Sequence, residues 1–420
     1  MNQLFTPLTL QSGVSLPNRI AKAAMEENMA DYGQVPGRDL VNLYQRWAEG
    51  SPGMIITGNV MISPTAMTGP GGVYLGKETL TDPKIRQRFE DWAAAGKSGG
   101  SALYMQISHP GRQVYAAMKT DIVSASATKL NMEGPAAKMF SQARALSPDE
   151  IKGLITRFAD TAEAAQSAGF DGVQIHAAHG YLVAQFLSPL SNLREDEWGG
   201  TLKNRARFLL EIVKAIKKRT GGSFGVAVKL NSADFQKGGY DEDDAKQVVK
   251  WLNSLGVDYV ELSGGSYESA AMAGAAEEDN PSSTLLREIY FIEFAKLIQS
   301  VAKMPLMVTG GITRRETAET ALGSGAVEIV GIARAFGFNP HLARDWQAGE
   351  NLTVAMPSSN SKNKTFRVLS GMAMTKANLY AMGKGQMPKL KMNALLTVIK
   401  QQMKTGKLTK TYRKWLESRG

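Results

Sequence analysis

The sequence has no cysteine among its 420 residues. This absence excludes disulfide bonds, thiolate metal sites, iron–sulfur clusters and a cysteine nucleophile. The chain also lacks an uninterrupted apolar run of the roughly 18 residues that a membrane helix needs. Its first residues have neither the basic segment nor the apolar stretch of a secretory signal. We therefore expect a protein of the reducing cytoplasm.

Acidic residues are nearly absent from one region, which makes the charge distribution uneven. Residues 351–420 contain 14 lysines and arginines against one acid, Glu417, so this extension has a charge of +13 and residues 1–350 have −3. A basic segment can bind nucleic acid or an anionic membrane. It can also be a solvated helical extension that packs on the preceding domain or on a partner subunit, and we favour this second interpretation.

Short apolar segments alternate with helical patterns through residues 1–350. Their almost continuous hydrophobicity is typical of parallel strands that are buried on both faces. Eight such strand–helix units predict a closed (β/α)8 barrel, the TIM-barrel fold of the α/β class, rather than an open sheet. The predicted strands span residues 20–25, 54–57, 102–107, 173–176, 224–230, 259–263, 306–309 and 328–331.

Local signals predict several further elements. Ser147-Pro-Asp-Glu150 is a capping box with proline at the first helical position, which predicts a helix to about Ser167. Residues 8–16 predict a β-hairpin that caps the barrel floor, and residues 114–146 predict a lid or excursion above the third strand. In the extension, apolar residues predict an amphipathic helix whose stripe faces a core or a dimer interface. The stripe consists of Leu390, Leu395, Leu396, Val398, Ile399 and Met403.

Histidine is scarce, and three of the four histidines follow predicted strands three and four. The active sites of such barrels lie at these C-terminal strand ends. His176 and His179 can direct both rings at one ligand atom, and Tyr181 adds a proton donor. This trio suits a carbonyl substrate, because imidazoles stabilise negative charge on its oxygen while the phenol protonates carbon. The alternative is that one histidine is a satisfied core residue and Tyr181 only packs.

The histidine pair also permits a zinc site, since His-x-x-His can bind zinc. A closed site needs further ligands at the same rim, and the candidates are His109, Asp234 and Glu261. The His-Glu-x-x-His pattern of metalloproteases is absent, so we do not expect a metal.

A second signal comes after the last two predicted strands. Gly310 and Gly311 come after strand seven, and Gly331-Ile-Ala-Arg334 comes after strand eight. Glycines allow backbone N–H groups to approach a phosphate, and Arg334 supplies charge and forked donors. This pattern predicts a phosphorylated substrate or a mononucleotide cofactor, since the dinucleotide fingerprint is not found in its strand–helix context.

Several segments along the chain have a recognisable order and spacing. They are Pro17-Asn-Arg-Ile20, Gln106, His109-Pro-Gly-Arg112, His176-Ala-Ala-His-Gly-Tyr-Leu182, Phe186-Leu-Ser-Pro-Leu-Ser-Asn192, Arg194-Glu-Asp-Glu-Trp-Gly-Gly200 and Asn204-Arg-Ala-Arg-Phe208. Together they resemble the Old Yellow Enzyme family over residues 4–345. The resemblance implies a barrel that binds FMN non-covalently, takes electrons from NADH or NADPH, and is reoxidised by an α,β-unsaturated carbonyl or nitro compound.

The resemblance also implies roles for individual residues. His176 and His179 would hold the substrate's oxygen, Tyr181 would protonate the α-carbon, and Asn28 would lie at the substrate mouth. Flavin N5 would deliver hydride to the β-carbon. The implied flavin contacts are Ala24, Met25, Glu26, Asn59, Gln106, Lys229, Gly310, Gly311, Ala333 and Arg334.

Several positions depart from the family pattern, among them Asn28, where many relatives have an aromatic residue, and Asn59, where many have alanine. Two further departures bear directly on the flavin. Lys229 stands where the family usually has arginine beside flavin N1 and O2, so the reduced anion would meet a point charge instead of a planar fork. Glu26 stands where threonine or cysteine is common near O4 and N5. An ionised Glu26 there would disfavour reduced flavin, and a protonated one would donate a hydrogen bond. Alternatively, Glu26 turns away and pairs with Lys22 or Arg19.

Other functional classes remain as alternatives. A flavin-free phosphate-binding lyase or isomerase would share the site at Arg334, and a degenerate barrel would act through its basic extension. A tRNA-modifying flavoprotein also joins an FMN barrel to a basic appendage, but its chemistry needs a catalytic cysteine. As partners we expect a small activated alkene and, in a homo-oligomer, further copies of the chain.

Overall fold

A closed barrel of parallel strands forms the body of the protein. The computed structural model describes residues 3–132, 134–264, 268 and 281–419. Each of eight strands pairs with the next, and the last pairs with the first through Val330 and Ile20, which confirms the predicted (β/α)8 fold. The strands are β1 (Ile20–Lys22), β2 (Met54–Ile56), β3 (Ala102–Ser108), β4 (Gly172–Ala177), β5 (Gly225–Asn231), β6 (Val260–Ser263), β7 (Leu306–Thr309) and β8 (Ile329–Ile332).

The first strand is shorter than predicted. β1 ends at Lys22 and not at residue 25, because its neighbour β8 ends at Ile332, whose carbonyl accepts from the Ala23 N–H at 2.9 Å. The next residues form a loop at the C-terminal rim of the barrel. This loop contains Glu26 and Asn28.

Helices cover the outside of the barrel. The capping box begins a helix as predicted, since the Glu150 N–H donates to Ser147 Oγ at 3.2 Å and the Ser147 N–H donates to the Glu150 carboxylate at 2.8 Å. The helices are α1 (Arg38–Ala48), α2 (Pro83–Lys97), α3 (Pro148–Ser167), α4 (Leu182–Leu187), α5 (Leu202–Thr220), α6 (Glu242–Leu252), α7 (Pro281–Gln299), α8 (Arg315–Gly323), α9 (Leu342–Gln347), α10 (Lys364–Gly383) and α11 (Ala394–Glu417).

The predicted hairpin closes the barrel floor. Its strands Leu8–Thr9 and Ser15–Leu16 are antiparallel. Ser12, at its turn, donates from its N–H and its hydroxyl to the Asp258 carboxylate at 2.8 and 2.7 Å. Asp258 precedes β6, so this contact is at the N-terminal end of the strands. A ligand therefore reaches the barrel from the opposite rim.

The excursion after β3 packs against the end of the extension. Its strands Val123–Ser124 and Arg144–Ala145 pair in parallel, and short 3-10 turns span Ala116–Met118 and Gly134–Met139. Buried Met118 lies in one apolar cluster with residues of α11. Two further short strands, Val60–Met61 and Val73–Tyr74, lie beside the end of β3.

The extension adds two helices to the side of the barrel. The Asn42 side chain of α1 donates to the Gly383 carbonyl at the end of α10 at 3.0 Å. The Tyr412 hydroxyl of α11 donates to the Pro64 carbonyl at 2.8 Å, and Trp415 is buried beside it. The end of α10 is thus anchored to helix α1, and the end of α11 to the loop that contains Pro64.

The apolar stripe predicted on the second of these helices is exposed on the single chain. Leu395, Leu396, Ile399 and Met403 are each about half exposed, and Leu390 before the helix is too. The alternative in which the stripe faces the core is therefore wrong, because the side of α11 that is buried near its end carries aromatic residues instead. A partner subunit over the stripe stays a prediction. Among the described residues, no helix is both long and apolar enough to cross a bilayer.

Candidate active site

The predicted catalytic trio comes together where β4 ends. The His176 and His179 ring centroids are 5.0 Å apart, and those of His176 and Tyr181 are 4.7 Å apart, in edge-to-face arrangements. His179 has a φ of 59°, a left-handed conformation that is costly for a residue with a side chain. Asn231 Oδ1 accepts from its N–H and Gln113 Nε2 donates to its carbonyl, both at 3.0 Å. These two contacts hold the strained backbone and hence the ring.

Both histidines are neutral imidazoles. Burial lowers the pKa of His176 and of His179 well below the usual value, and the nearby positive charge of Lys229 adds to the effect in both. The Ala178 N–H donates to His176 Nδ1 at 3.3 Å, so Nε2 of that ring bears the proton. His176 can therefore offer an N–H donor to a substrate oxygen.

Ser263 sets the second donor and was missed by the sequence reasoning. His179 Nε2 lies 2.7 Å from Ser263 Oγ. If the serine hydroxyl donates to Nε2, the His179 proton is on Nδ1 and can be donated to a ligand. Its position in the sequence could have indicated a role, because Ser263 is the last residue of β6 and the active sites of barrels are built from residues at the strand ends.

A buried polar network crosses the barrel interior beside these rings. Gln106 Nε2 donates to Gln174 Oε1 at 2.6 Å, and Gln174 Nε2 donates to Glu261 Oε2 at 2.8 Å. The Lys229 ammonium lies 2.8 Å from the other Glu261 oxygen. Lys229 is thus a cation with a buried counter-charge. Sequence reasoning named Glu261 only as a zinc ligand and did not consider Gln174.

Glu26 lies in the loop after β1, beside a residue that comes after β2. Asn59 Nδ2 donates to Glu26 Oε1 at 2.9 Å. Lys22 instead lies 3.8 Å from Glu27, and Arg19 donates to Thr6 Oγ1 at 3.1 Å. The alternative in which Glu26 pairs with Lys22 or Arg19 is therefore wrong, because both cations are engaged below the rim.

The other predicted residues of this loop take different environments. Ala24 packs with the apolar cluster inside the barrel, whereas Met25 packs with the core between the barrel and its helices. Asn28 has a left-handed backbone, with φ of 53°. Ala24 and Met25 thus pack on opposite sides of the barrel wall.

A cavity of about 430 Å³ extends from His179 to the ends of β7 and β8. Gly310 and Gly311 line it with φ values of 142° and 71°, which favour glycine. Ala333 and Arg334 line the same end, and buried Thr309 Oγ1, also in the lining, has no hydrogen-bond partner among the described residues. Left-handed glycines, an unpartnered hydroxyl and a guanidinium fit a phosphate group.

The extension contributes to this cavity, which the sequence did not indicate. Arg367, Gly371 and Thr375, all on α10, line the cavity together with the residues after β7 and β8. These positions are far along the chain from the glycine pair, so no local motif connects them. The predicted phosphate site therefore has a second wall.

The candidate zinc ligands take other roles. His109 Nδ1 accepts from the Gly111 N–H at 3.1 Å, and Asp234 accepts from the Tyr240 N–H at 3.0 Å. Across the part of the chain that the structure describes, no three His, Cys, Asp or Glu side chains converge to hold a metal ion.

Comparison with known proteins assigns this architecture. The NADH:flavin oxidoreductase / NADH oxidase family matches residues 3–353. The NADH-dependent flavin oxidoreductase nadA of Aspergillus parasiticus is 38% identical over 359 residues, which are 83% of this chain and 79% of that protein.

Solved structures agree with the sequence relatives. An Old Yellow Enzyme homologue from Zymomonas mobilis has 26% identity and a TM-score of 0.68, over 84% of this chain and 94% of its own. Morphinone reductase has 26% identity and a TM-score of 0.69, over 87% and 96%.

FMN is the cofactor of this family, and the glycines, hydroxyl and guanidinium at the ends of β7 and β8 fit a phosphate group such as that of FMN. NADH or NADPH is the reductant in this family. The flavin-free lyase or isomerase is thereby set aside. The chain belongs to the Old Yellow Enzyme family of FMN-dependent NAD(P)H oxidoreductases.

Proposed function

We propose that the protein reduces an alkene activated by a carbonyl or nitro group, with His176, His179 and Tyr181 as its catalytic residues. The observation that supports this most directly is the edge-to-face cluster of two neutral imidazoles and a phenol at the end of β4. Bound FMN supplies hydride-transfer chemistry, from NADH or NADPH to the β-carbon of the alkene.

The two imidazoles have the task of binding the substrate's oxygen. As the β-carbon is reduced, negative charge develops on that oxygen, and preorganised N–H donors stabilise it. Neutral rings suit this task because the burial that keeps their pKa low also removes competing water. With its hydroxyl donating to Nε2, Ser263 would keep the His179 proton on Nδ1, and the backbone contacts to Asn231 and Gln113 would fix the ring.

Tyr181 completes the reaction by donating its phenolic proton to the α-carbon. Tyr181 is 5% exposed, so bulk water has little access to its phenolic proton. Its ring stands edge-on to His176, which places the donor beside the oxygen-binding pair. Tyr181 is the N-cap residue immediately before α4 and follows β4 by four residues.

The cofactor would be held by both walls of the cavity. Gly310, Gly311 and the Ala333 N–H would hold the phosphate with Arg334. On the opposite wall, Arg367 of α10 would add a second guanidinium. Gln106 and Lys229 would lie along the flavin ring, where the Lys229–Glu261 pair would present a partly compensated positive charge.

The visible spectrum of the purified protein tests this function first. A yellow protein that bleaches anaerobically with NADH or NADPH and recolours with cyclohexenone supports both half-reactions. A protein that bleaches but recolours only with dioxygen is an oxidase, and the alkene substrate is then wrong. A colourless protein that cannot be reconstituted with FMN contradicts the proposal altogether.

A further inference from the structure

The extension carries a lysine to the loop after β1. Lys376 of α10 donates from its ammonium to Asn28 Oδ1, and the Tyr380 hydroxyl lies 3.5 Å from the Asn28 carbonyl. Asn28 is two residues from Glu26, in the loop that borders the candidate active site. A residue outside the family match at 3–353 thus belongs to the rim of the site.

The Lys376 ammonium has no direct ion-pair partner among the described residues. Burial lowers its pKa, and the negative charges of Glu26 and Glu27 partly offset that shift from a distance. Its hydrogen-bond partner, Asn28 Oδ1, is a neutral oxygen. Within the part of the chain that the structure describes, no carboxylate lies within 4 Å of this ammonium. Of the two acids nearby, Glu27 accepts from Tyr44 at 2.6 Å and lies 3.8 Å from Lys22, and Glu26 accepts from Asn59.

Lys376 also lines a cavity of about 360 Å³ between α10, α11 and the excursion. The walls include apolar side chains from both sides, Met139 of the excursion and Leu369 and Met372 of α10. Tyr115 lies at the excursion wall, where burial raises the pKa of its phenol and the negative charge of Glu26 adds to the effect. A Cβ on Gly69 would lie 3.6 Å from the Tyr115 ring and 3.8 Å from the Asn28 side chain, so this wall of the cavity lies near the loop after β1.

The charged groups of this cavity have one sign. Lys138 and Lys376 line it, and no acidic side chain is among the described residues of its lining. The extension that forms one wall has a net charge of +13. An apolar cavity with cations favours a molecule with an apolar body and an anionic group.

We infer that this cavity admits the substrate and that Lys376 binds an anionic group, such as a carboxylate, on an otherwise apolar activated alkene. The inference rests on the proposed function, since it assigns a substrate class to that reaction. Lys376 is a specificity-determining residue in this scheme and takes no part in proton or hydride transfer. A lysine that only balances the charge of Glu26 would not discriminate between charged and neutral substrates.

A matched pair of probes tests this inference: para-carboxybenzylideneacetone and its methyl ester, which share the enone and differ in charge. The dissociation constant of each is measured from the change in the flavin spectrum of the oxidised holoenzyme, and kcat/KM from turnover with NADH. In Lys376→Met, the preference for the acid over the ester falls by about 10–100-fold, as expected for one lost hydrogen bond to a charged group. Lys376→Arg retains most of the preference.

Lys407→Met is the matched control, because Lys407 is an exposed lysine of α11 and does not line the cavity. It removes the same charge from the extension and keeps the acid-to-ester ratio. An equal change for acid and ester in Lys376→Met overturns the inference, as does the same fall in the control.

The two proposals fail in different ways. If the wild-type enzyme reduces the ester but Lys376→Met leaves the ratio unchanged, the function stands and the anion site is wrong. If neither compound is reduced although the acid binds through Lys376, the function is wrong and the anion site stands.

Discussion

The barrel rim and the extension contribute to one site by different means. At the barrel rim, His176 is in the ladder of β4, and His179 and Tyr181 follow it within four residues, with the His179 backbone held by Asn231 and Gln113. In the extension, Arg367 and Lys376 are held by a helix that packs on the barrel from outside. The proposed catalytic residues thus belong to the barrel, and a segment outside the family match adds one wall to each of the two cavities.

The two regions also treat charge differently. In the barrel, the Lys229 ammonium and the Glu261 carboxylate are both buried and pair at 2.8 Å. In the extension, Lys376 contacts a neutral oxygen. A directly paired network presents a modest field to a ligand, whereas a cation without a direct ion-pair partner is available to an anionic ligand. From the roles that we propose for these residues, we expect changes in the barrel to alter chemistry and changes at Lys376 to alter substrate choice.

The largest expected effect is on the rate of enone reduction, which we expect to depend on Tyr181 of the barrel and not on Tyr412 of the extension. Tyr181→Phe slows reoxidation of the reduced enzyme by an enone about 10²–10⁴-fold, because the general acid is lost. Reduction by NADH changes little, and anaerobic stopped-flow measurement of each half-reaction gives the two rates. An equal loss in both half-reactions would remove Tyr181 from the role of acid.

Tyr412→Phe is the extension counterpart. The Tyr412 hydroxyl donates to the Pro64 carbonyl at 2.8 Å, far from the reacting atoms. Its removal costs about 0.5–1.5 kcal/mol of unfolding free energy and leaves the enone step unchanged. A slower enone step in this variant would contradict the separation of chemistry from the extension.

The next effect compares the two guanidiniums of the phosphate cavity. Arg334→Ala and Arg367→Ala each raise the dissociation constant of FMN by about 10–100-fold if each makes one charge-assisted hydrogen bond. Ultrafiltration of the reconstituted protein measures free and bound FMN. Lys364→Ala is the control, since this exposed lysine is on the same helix and does not line the cavity. If the dissociation constant of FMN in Arg367→Ala equals that of the control, Arg367 does not contribute to FMN binding.

A smaller effect concerns how the extension docks. A Cβ on Gly383 would lie 2.4 Å from the Asp39 carbonyl oxygen, so Gly383→Ala forces α10 away from α1. We expect a loss of about 1–3 kcal/mol of unfolding free energy. Gly406→Ala, on α11 with nothing within 4 Å, is the matched change and stabilises the protein by about 0.4–1 kcal/mol. Urea unfolding curves measure both changes. Equal unfolding free energies for the two variants would show that the contact between Gly383 and Asp39 does not stabilise the protein.

The smallest effect concerns acid sensitivity, which should reside in the barrel because residues 351–420 contain no histidine. Burial lowers the pKa of His109 to about 3, and Arg157 adds to the shift. Below the unfolded value of about 6.5, the unfolded chain binds a proton that the folded one does not, so stability falls by about 1.4 kcal/mol per pH unit for this residue. In His109→Gln, urea midpoints between about pH 6.5 and 5 lose that part of the slope. An unchanged slope would mean that His109 protonates in the folded protein.

Much of the barrel could be predicted because its signals are local. The capping box at Ser147 predicted the start of α3, and runs of apolar residues predicted every strand of the barrel. The end of β1 could not be predicted, because it depends on where the neighbouring strand β8 stops. The same limit applies to Glu26, whose partner Asn59 comes after a different strand.

The sequence by itself determined the fold and brought His176, His179 and Tyr181 to one strand end, because the direction of a strand fixes the rim at which its next residues emerge. The tertiary structure decided the partners of these residues. Ser263 meets His179 across the barrel rim, and Lys376 meets Asn28 across 348 residues of chain. Such contacts depend on how strands close and helices pack, which is a property of the whole chain and leaves no periodic pattern near either residue.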